Sequence, residues 1–180
     1  MQFNRWLKKD KVRAKEMIAD LSDFFRYTLS KNNQTLVPLK EEIDAVQKYL
    51  AIQKERFAGK LEIDYEIEDT SLKLMLPFFI IHPLVENAIK YGFSADNDVL
   101  RLLIKVTRNE ETLSILIKNT GKLALSEQIT DKELMSTKTG IENIKKRLSL
   151  FYPDCSTFEL FEKDYYVHAL ITITHASMSL

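Results

Sequence analysis

Ile80-Ile81-His82-Pro83-Leu84-Val85-Glu86-Asn87-Ala88-Ile89-Lys90-Tyr91-Gly92 sets a carboxylate, an amide and an amine into an otherwise apolar run. At roughly 100° per residue, a helix through this stretch gathers Ile81, Leu84, Val85, Ala88 and Ile89 on one arc and Glu86, Asn87 and Lys90 on the opposite one. The first arc belongs to a core. The second needs water or a ligand. Glu86 and Lys90 also stand four residues apart, the spacing of an ordinary surface ion pair, so the polar arc has a plain explanation beside the functional one. The helix is expected over Pro77 to Tyr91, with Pro83 either kinking it or starting its second half.

Ahead of this stretch, from about Lys11 to Phe57, the pattern is helical. Ile18, Leu21, Phe25 and Thr28 recur at three-and-four spacing, as do Ile43, Val46, Leu50 and Phe57. The polar run Ser30-Lys31-Asn32-Asn33-Gln34-Thr35 separates them, and Pro38 with Glu41 and Glu42 opens the second helix. The result is a helical hairpin whose stripes pack against each other or a neighbour, and an exposed stripe would suit a dimeric bundle. After Gly59 the period changes. Leu61, Ile63, Tyr65 and Ile67 alternate with Glu62, Asp64, Glu66 and Glu68, a strand with one wet face. Leu100 to Val106 and Leu113 to Lys118 read as a hairpin, as do Phe158 to Phe161 and Val167 to Ile173, with a helix expected from about Gly140 to Phe151. This order predicts an α+β fold, a mixed and mostly antiparallel sheet with helices on one face, behind an N-terminal helical hairpin. The division expected is residues 1–58 for the hairpin and 59–180 for the α/β part.

Composition narrows the function. Twenty-six basic and 26 acidic residues cancel, so no nucleic-acid stripe is predicted. The lone Cys155 has no partner for an internal disulfide, which fits a reducing compartment. His82, His168 and His175 have no Cys/His spacing that suggests zinc. No run approaches the roughly 18 apolar residues of a membrane span.

The opening stretch closely resembles the N-box of the GHKL ATPases, in the Q-P-L-V-E-N-A-I-K-H-G version of LytS/YehU-type sensor histidine kinases. That resemblance implies a Bergerat-type ATP-binding fold with ATP and Mg2+ as cofactors. Asn87 would hold the metal bridging the triphosphate, Glu86 would be its polar or general-base partner, and Lys90 would meet phosphate charge, with Tyr91 beside it. Magnesium takes hard oxygen ligands and keeps several waters, so one amide oxygen plus phosphate oxygens is a workable set. The family's adenine box, D-x-G-x-G, aligns with Asn119-Thr120-Gly121-Lys122-Leu123. Asn119 then stands where an Asp accepts from the adenine amino group, which an amide oxygen can still do. Gly121 keeps the close backbone approach, and Leu123 adds bulk. The second glycine box aligns with Lys138-Thr139-Gly140-Ile141-Glu142-Asn143-Ile144-Lys145-Lys146-Arg147-Leu148. Gly140, opening a helix, would offer free N–H groups to phosphate; Ile141 and Asn143 follow it, and Arg147 takes a structural or phosphate-adjacent role. The polar stretch Leu123 to Thr139 is the expected nucleotide lid.

Resemblance extends into the hairpin. Leu21-Ser22-Asp23-Phe24-Phe25-Arg26-Tyr27-Thr28-Leu29 and Tyr49-Leu50-Ala51-Ile52-Gln53-Lys54-Glu55-Arg56-Phe57 are similar to the family's L-S-D-L-L-R-Y-S-L and Y-L-E-I-E-K-x-R-F segments. The N-P-H-F-L-F-N segment with the phosphoacceptor histidine is expected upstream of Phe3. The resemblance thus implies the catalytic fragment of a protein histidine kinase, passing the ATP γ-phosphoryl group to that histidine and then to a response regulator. It implies a homodimer in the full-length protein, and a cytoplasmic domain joined to the membrane only through segments outside this stretch. The altered glycine boxes leave one rival, a degenerate GHKL module serving as a dimerising scaffold without phosphotransfer.

Overall fold

Alternation along the two central strands organises the molecule. The computed structural model describes residues 11–30, 35–93, 98–123 and 131–174, with the side chains of 131–139 excepted. The chain runs α1 (Lys11–Ser30), β1 (Leu36–Pro38), α2 (Leu39–Arg56), β2 (Leu61–Ile67), a 3-10 turn (Asp69–Ser71), β3 (Met75–Pro77), α3 (His82–Gly92), β4 (Leu100–Arg108), β5 (Thr112–Thr120), α4 (Asp131–Phe151), β6 (Ser156–Lys163) and β7 (Tyr166–Thr174). In β4, Leu100, Leu102, Ile104 and Val106 are buried; in β5, Leu113, Ile115 and Ile117 are. A period of two puts each set on one face of the sheet. Asn109 closes this hairpin, its Oδ1 accepting from the N–H groups of Glu111 and Thr112.

The five strands lie in the order β2-β4-β5-β7-β6. All neighbours pair antiparallel except β2 and β4, which are parallel in the register Leu61↔Leu100 to Ile67↔Val106. Parallel pairing needs a crossover, and α3 lies within it. The apolar sides of α2, α3 and α4 join the inward side chains of the sheet in one core that includes Leu50, Val85, Ile89, Ile144 and Leu148. The expected α+β architecture is therefore present, with helices on one face.

Three expectations are corrected. Residues 77–81 are not helical: β3 pairs with β1 through Leu36↔Pro77 and Val37↔Leu76, and Phe79 adopts φ 59, which ends any helix there. Pro83 sits in the first turn of α3, where its missing N–H costs nothing. On α1 the packed side is the other one. Phe24 is buried, whereas Ile18, Leu21 and Phe25 are 61%, 38% and 52% exposed, because Phe24 fits against Tyr49 and His82. Finally, α4 begins at Asp131 rather than Gly140. The C-terminal part of the expected lid is thus helix, and 124–130 lie outside the described residues.

Candidate functional site

The polar arc of α3 falls where its periodicity puts it. Ile81, Leu84, Val85, Ala88 and Ile89 are buried, Glu86 and Lys90 are exposed, and Asn87 and Tyr91 are half-buried. One helical turn separates Asn87 from Tyr91, so the two share a side. The Lys90 ammonium lies 4.9 Å from the Tyr91 ring centre. Glu86 looks toward the hairpin: its Oε2 is 4.0 Å from His82 Nε2, and its charge, after burial, helps push the Tyr49 hydroxyl up to about 12.

The C-terminal end of α3 closes onto the end of β5. A methyl group built on Gly92 would overlap Leu100 Cδ1 and come within 3.0 Å of Asn119 Nδ2 and 3.1 Å of the Thr120 carbonyl. One built on Gly121, whose φ is 131, would lie 3.2 Å from Gly92 Cα and 3.4 Å from the Tyr91 carbonyl. Two glycines therefore let a helix end and a strand end approach as closely as backbones can. Asn119 is 4% exposed, and its Nδ2 donates to the Thr120 carbonyl at 2.9 Å. The structure so brings Tyr91, Asn119 and Gly121 together, with Asn87 and Lys90 on the last two turns of the same helix.

Gly140, Ile141 and Asn143 stand apart from that junction in chemical character. Gly140 is inside α4, so its N–H is not an exposed helix start, and a methyl group there would meet nothing within 4 Å. The expectation of a phosphate cradle formed by a helix beginning at Gly140 is corrected on this ground. Asn143 is exposed and Ile141 half-buried. One turn beyond Asn143, Arg147 reaches the turn before α3, its Nη1 donating to the carbonyls of Phe78 and Phe79, both at 2.9 Å.

That turn holds a group that its sequence position marks only as a helix-start acid. Glu42 of α2 is 1% exposed. Its Oε1 accepts from the Phe79 N–H at 2.5 Å, and its Oε2 accepts from the N–H groups of Ile80 at 2.9 Å and Ile81 at 3.1 Å. The Tyr27 hydroxyl of α1 donates to Oε1 as well. Burial pushes the Glu42 carboxyl up from its ordinary value, against the pull of these donors, and burial foremost, then Glu42, raises Tyr27. One signal was available: Glu42 falls three residues after Leu39 and four before Val46, on the apolar stripe, where a solvated helix-start acid would not be.

Among the described residues, no group of three or more His, Cys, Asp and Glu side chains is gathered as a metal site. A shallow cavity of about 370 Å3 lies elsewhere, lined by residues of β2, β4, β5 and β7 that include Asp64, Arg101, Lys118 and Tyr166, and contains none of the residues above.

Residues 2–61 match a family model described as histidine kinase. The sensor protein LytS of Bacillus cereus is 31% identical over 145 residues, 77% of this chain and 25% of that protein. The sensor histidine kinase YpdA of Escherichia coli is 29% identical over 142 residues, again 77% of this chain and 25% of the relative. The chain spans about a quarter of the length of these curated relatives. Among solved structures, the nucleotide-free catalytic domain of histidine kinase ThkA superposes with a TM-score of 0.58 at 14% identity, covering 79% of this chain and 96% of that one. The Acinetobacter baumannii histidine kinase AdeS gives 0.54 at 16% identity, over 91% and 77%. At such identities the structural likeness speaks for the fold, and the sequence matches carry the kinship. With a hairpin that fits the family model, similarity to LytS and YpdA across three quarters of its length, and the fold of kinase catalytic domains, this chain belongs to the sensor histidine kinases.

Proposed function

We propose that the chain binds ATP with magnesium and supplies the catalytic half of a histidine kinase reaction, delivering the γ-phosphoryl group to a histidine outside this stretch and thence to a response regulator. The observation that carries the reading is the junction of Tyr91-Gly92 with Asn119-Gly121, beside the polar arc of α3. It offers a buried amide, a strand end with a left-handed glycine, and a half-buried Asn within one turn of it.

The donor set suits the metal. Magnesium takes hard oxygen ligands and keeps several waters beside substrate phosphates, and the Asn87 amide supplies one such oxygen. When bound, the ion would neutralise charge on the phosphates. Asn87 would hold it, Lys90 would meet phosphate oxygens, and Asn119 with Gly121 would take the base. Tyr91, at the junction itself, would flank the nucleotide. Glu86, turned toward the hairpin, would face the incoming phosphoacceptor as its polar or general-base partner. Ile141 and Asn143 would approach the nucleotide from α4 through their side chains, and Gly140 through its bare backbone surface rather than through an open helix end. Full-length assembly as a homodimer follows the same reading, with the exposed stripe of α1 as its contact.

Calorimetric titration with ATP, with and without magnesium, tests this. Wild-type chain should bind in a magnesium-dependent manner, and Asn87→Ala should abolish the magnesium-dependent part. Unchanged affinity in that variant would remove the metal role, and no binding by the wild type would leave the scaffold reading.

A further inference from the structure

The turn that launches α3 is made of Phe78, Phe79, Ile80 and Ile81, which carry no side-chain acceptor. A helix start leaves N–H groups without partners, and α3 has no side-chain cap of its own. Glu42 provides acceptors from another helix, taking the N–H of the N-cap Ile81 and those of Ile80 and Phe79 just before it. On the other side of the same peptides, Arg147 takes the carbonyls of Phe78 and Phe79. Phe79 is held between them at φ 59, a conformation that an aromatic side chain adopts only when its surroundings impose it. An apolar side chain at position 42 would fill the same space without burying a charge, but would leave those three N–H groups unpaired. A buried carboxylate costs several kcal/mol unless its donors are complete, and here each oxygen has two.

We propose that Glu42 is a positioning residue for the nucleotide site. Through the turn it fixes where α3 starts, and so where Asn87, Lys90 and Tyr91 stand relative to Asn119 and Gly121. This rests on the nucleotide reading above. Arg147 completes the clamp from α4, and the Tyr27 hydroxyl ties it to α1. The site is thereby keyed to the hairpin: a shift of α1 that withdraws the Tyr27 hydroxyl unbalances the carboxylate that holds the start of α3. Tyr27 is well placed to report such a shift, since its ring also packs on Phe78 with centres 5.0 Å apart.

The test compares wild type, Glu42→Gln and Tyr27→Phe. Melting temperature, affinity for ATP with and without magnesium, and amide exchange over Phe78 to Tyr91 are measured where every protein is folded. Glu42→Gln keeps the shape but replaces one acceptor oxygen with a donor. It should weaken magnesium-dependent affinity by about tenfold, as losing a hydrogen bond to a charged group would, and speed exchange at Ile80 and Ile81. Tyr27→Phe should weaken that affinity about threefold with a smaller change in melting. A lower melting temperature with affinity within about twofold of wild type in both variants would reduce Glu42 to a stabilising residue and overturn the proposal. If Glu42→Gln does not fold, Tyr27→Phe decides alone, and unchanged affinity there is refutation. Absence of nucleotide binding by wild type is a separate result: it removes the nucleotide reading, and the positioning role with it, while slow exchange at Ile80 and Ile81 would still mark the clamp.

Discussion

Acidification should destabilise this protein through His82, and replacing His82 by Gln should remove that component. The imidazole is 6% exposed and enclosed by aromatic rings, with centres 4.8 Å from Phe24, 4.5 Å from Tyr49 and 4.7 Å from Phe79. Its Nδ1 is buried and has no hydrogen-bond partner among the described residues. Among the described residues the carboxylate paired with it is Glu86, at 4.0 Å and 60% exposed, too solvated to offset the loss of water. Burial therefore lowers the His82 pKa from 6.5 to about 4. The unfolded chain takes up a proton near 6.5 and the folded one does not, so stability is full above that value and falls as pH drops toward 4. At about 1.4 kcal/mol per tenfold change in proton affinity, the whole effect is about 3 kcal/mol, with about 2 kcal/mol of it lost by pH 5. For a chain of this length that corresponds to roughly 4–8 °C in melting temperature. Thermal melts of wild type and His82→Gln at pH 7.5 and pH 5 isolate it, because other titrating groups cancel in the difference of differences. Wild type should lose those degrees in excess of the variant. Parallel pH profiles would refute the claim that His82 is held neutral by burial.

Gly92→Ala should destabilise by about 1–2 kcal/mol in denaturant titration, the overlap with Leu100 and the close approach to Asn119 outweighing about 1 kcal/mol of gained helix propensity; a more stable variant would contradict the tight junction. Phe24→Ala should cost about 3 kcal/mol and Phe25→Ala under about 0.5 kcal/mol in dilute solution, where melts or urea titrations decide which side of α1 is packed. Incubation of the chain alone with γ-labelled ATP should leave no acid-labile, base-stable label, the signature of phosphohistidine; such label on His82, His168 or His175 would contradict a phosphoacceptor outside this stretch.

Much of the architecture was legible because it is periodic. The 3.6-residue arc of α3 and the two-residue alternation of β4 and β5 each bury about half their side chains, and a single sequence records that directly; β2 alternates too but buries Leu61 alone, with Tyr65 exposed. Features set by partners far along the chain were not. The pairing of β1 with β3 involves three residues on each side, too few to show a period, and both strands contain proline. Phe79 looked helical because its neighbours are apolar, whereas its left-handed backbone is imposed by Glu42 and Arg147 from elements 37 and 68 residues away. Gly140 looked like a helix start because glycine so often marks an end, yet the polar residues before it are helical too. At the candidate site, Glu86, Asn87, Lys90 and Asn119 could be named from motif wording, while Gly92 became visible only when two backbones were seen to meet.

The two helices of the hairpin are unequally anchored. Among the described residues of α1 only Phe24 is buried, while α2 buries Leu39, Glu42, Ile43, Ala45, Val46 and Leu50. Local opening free energy follows buried contact, so of the two hairpin helices α1 is the one that detaches at less expense, leaving α2 fixed to the core. A displacement arriving along the first helix is thus met by Phe24, by the Tyr27 hydroxyl and ring, and by the Asp23–Lys48 ion pair rather than by the whole core. The protein can be moved by a force far smaller than the one that would unfold it.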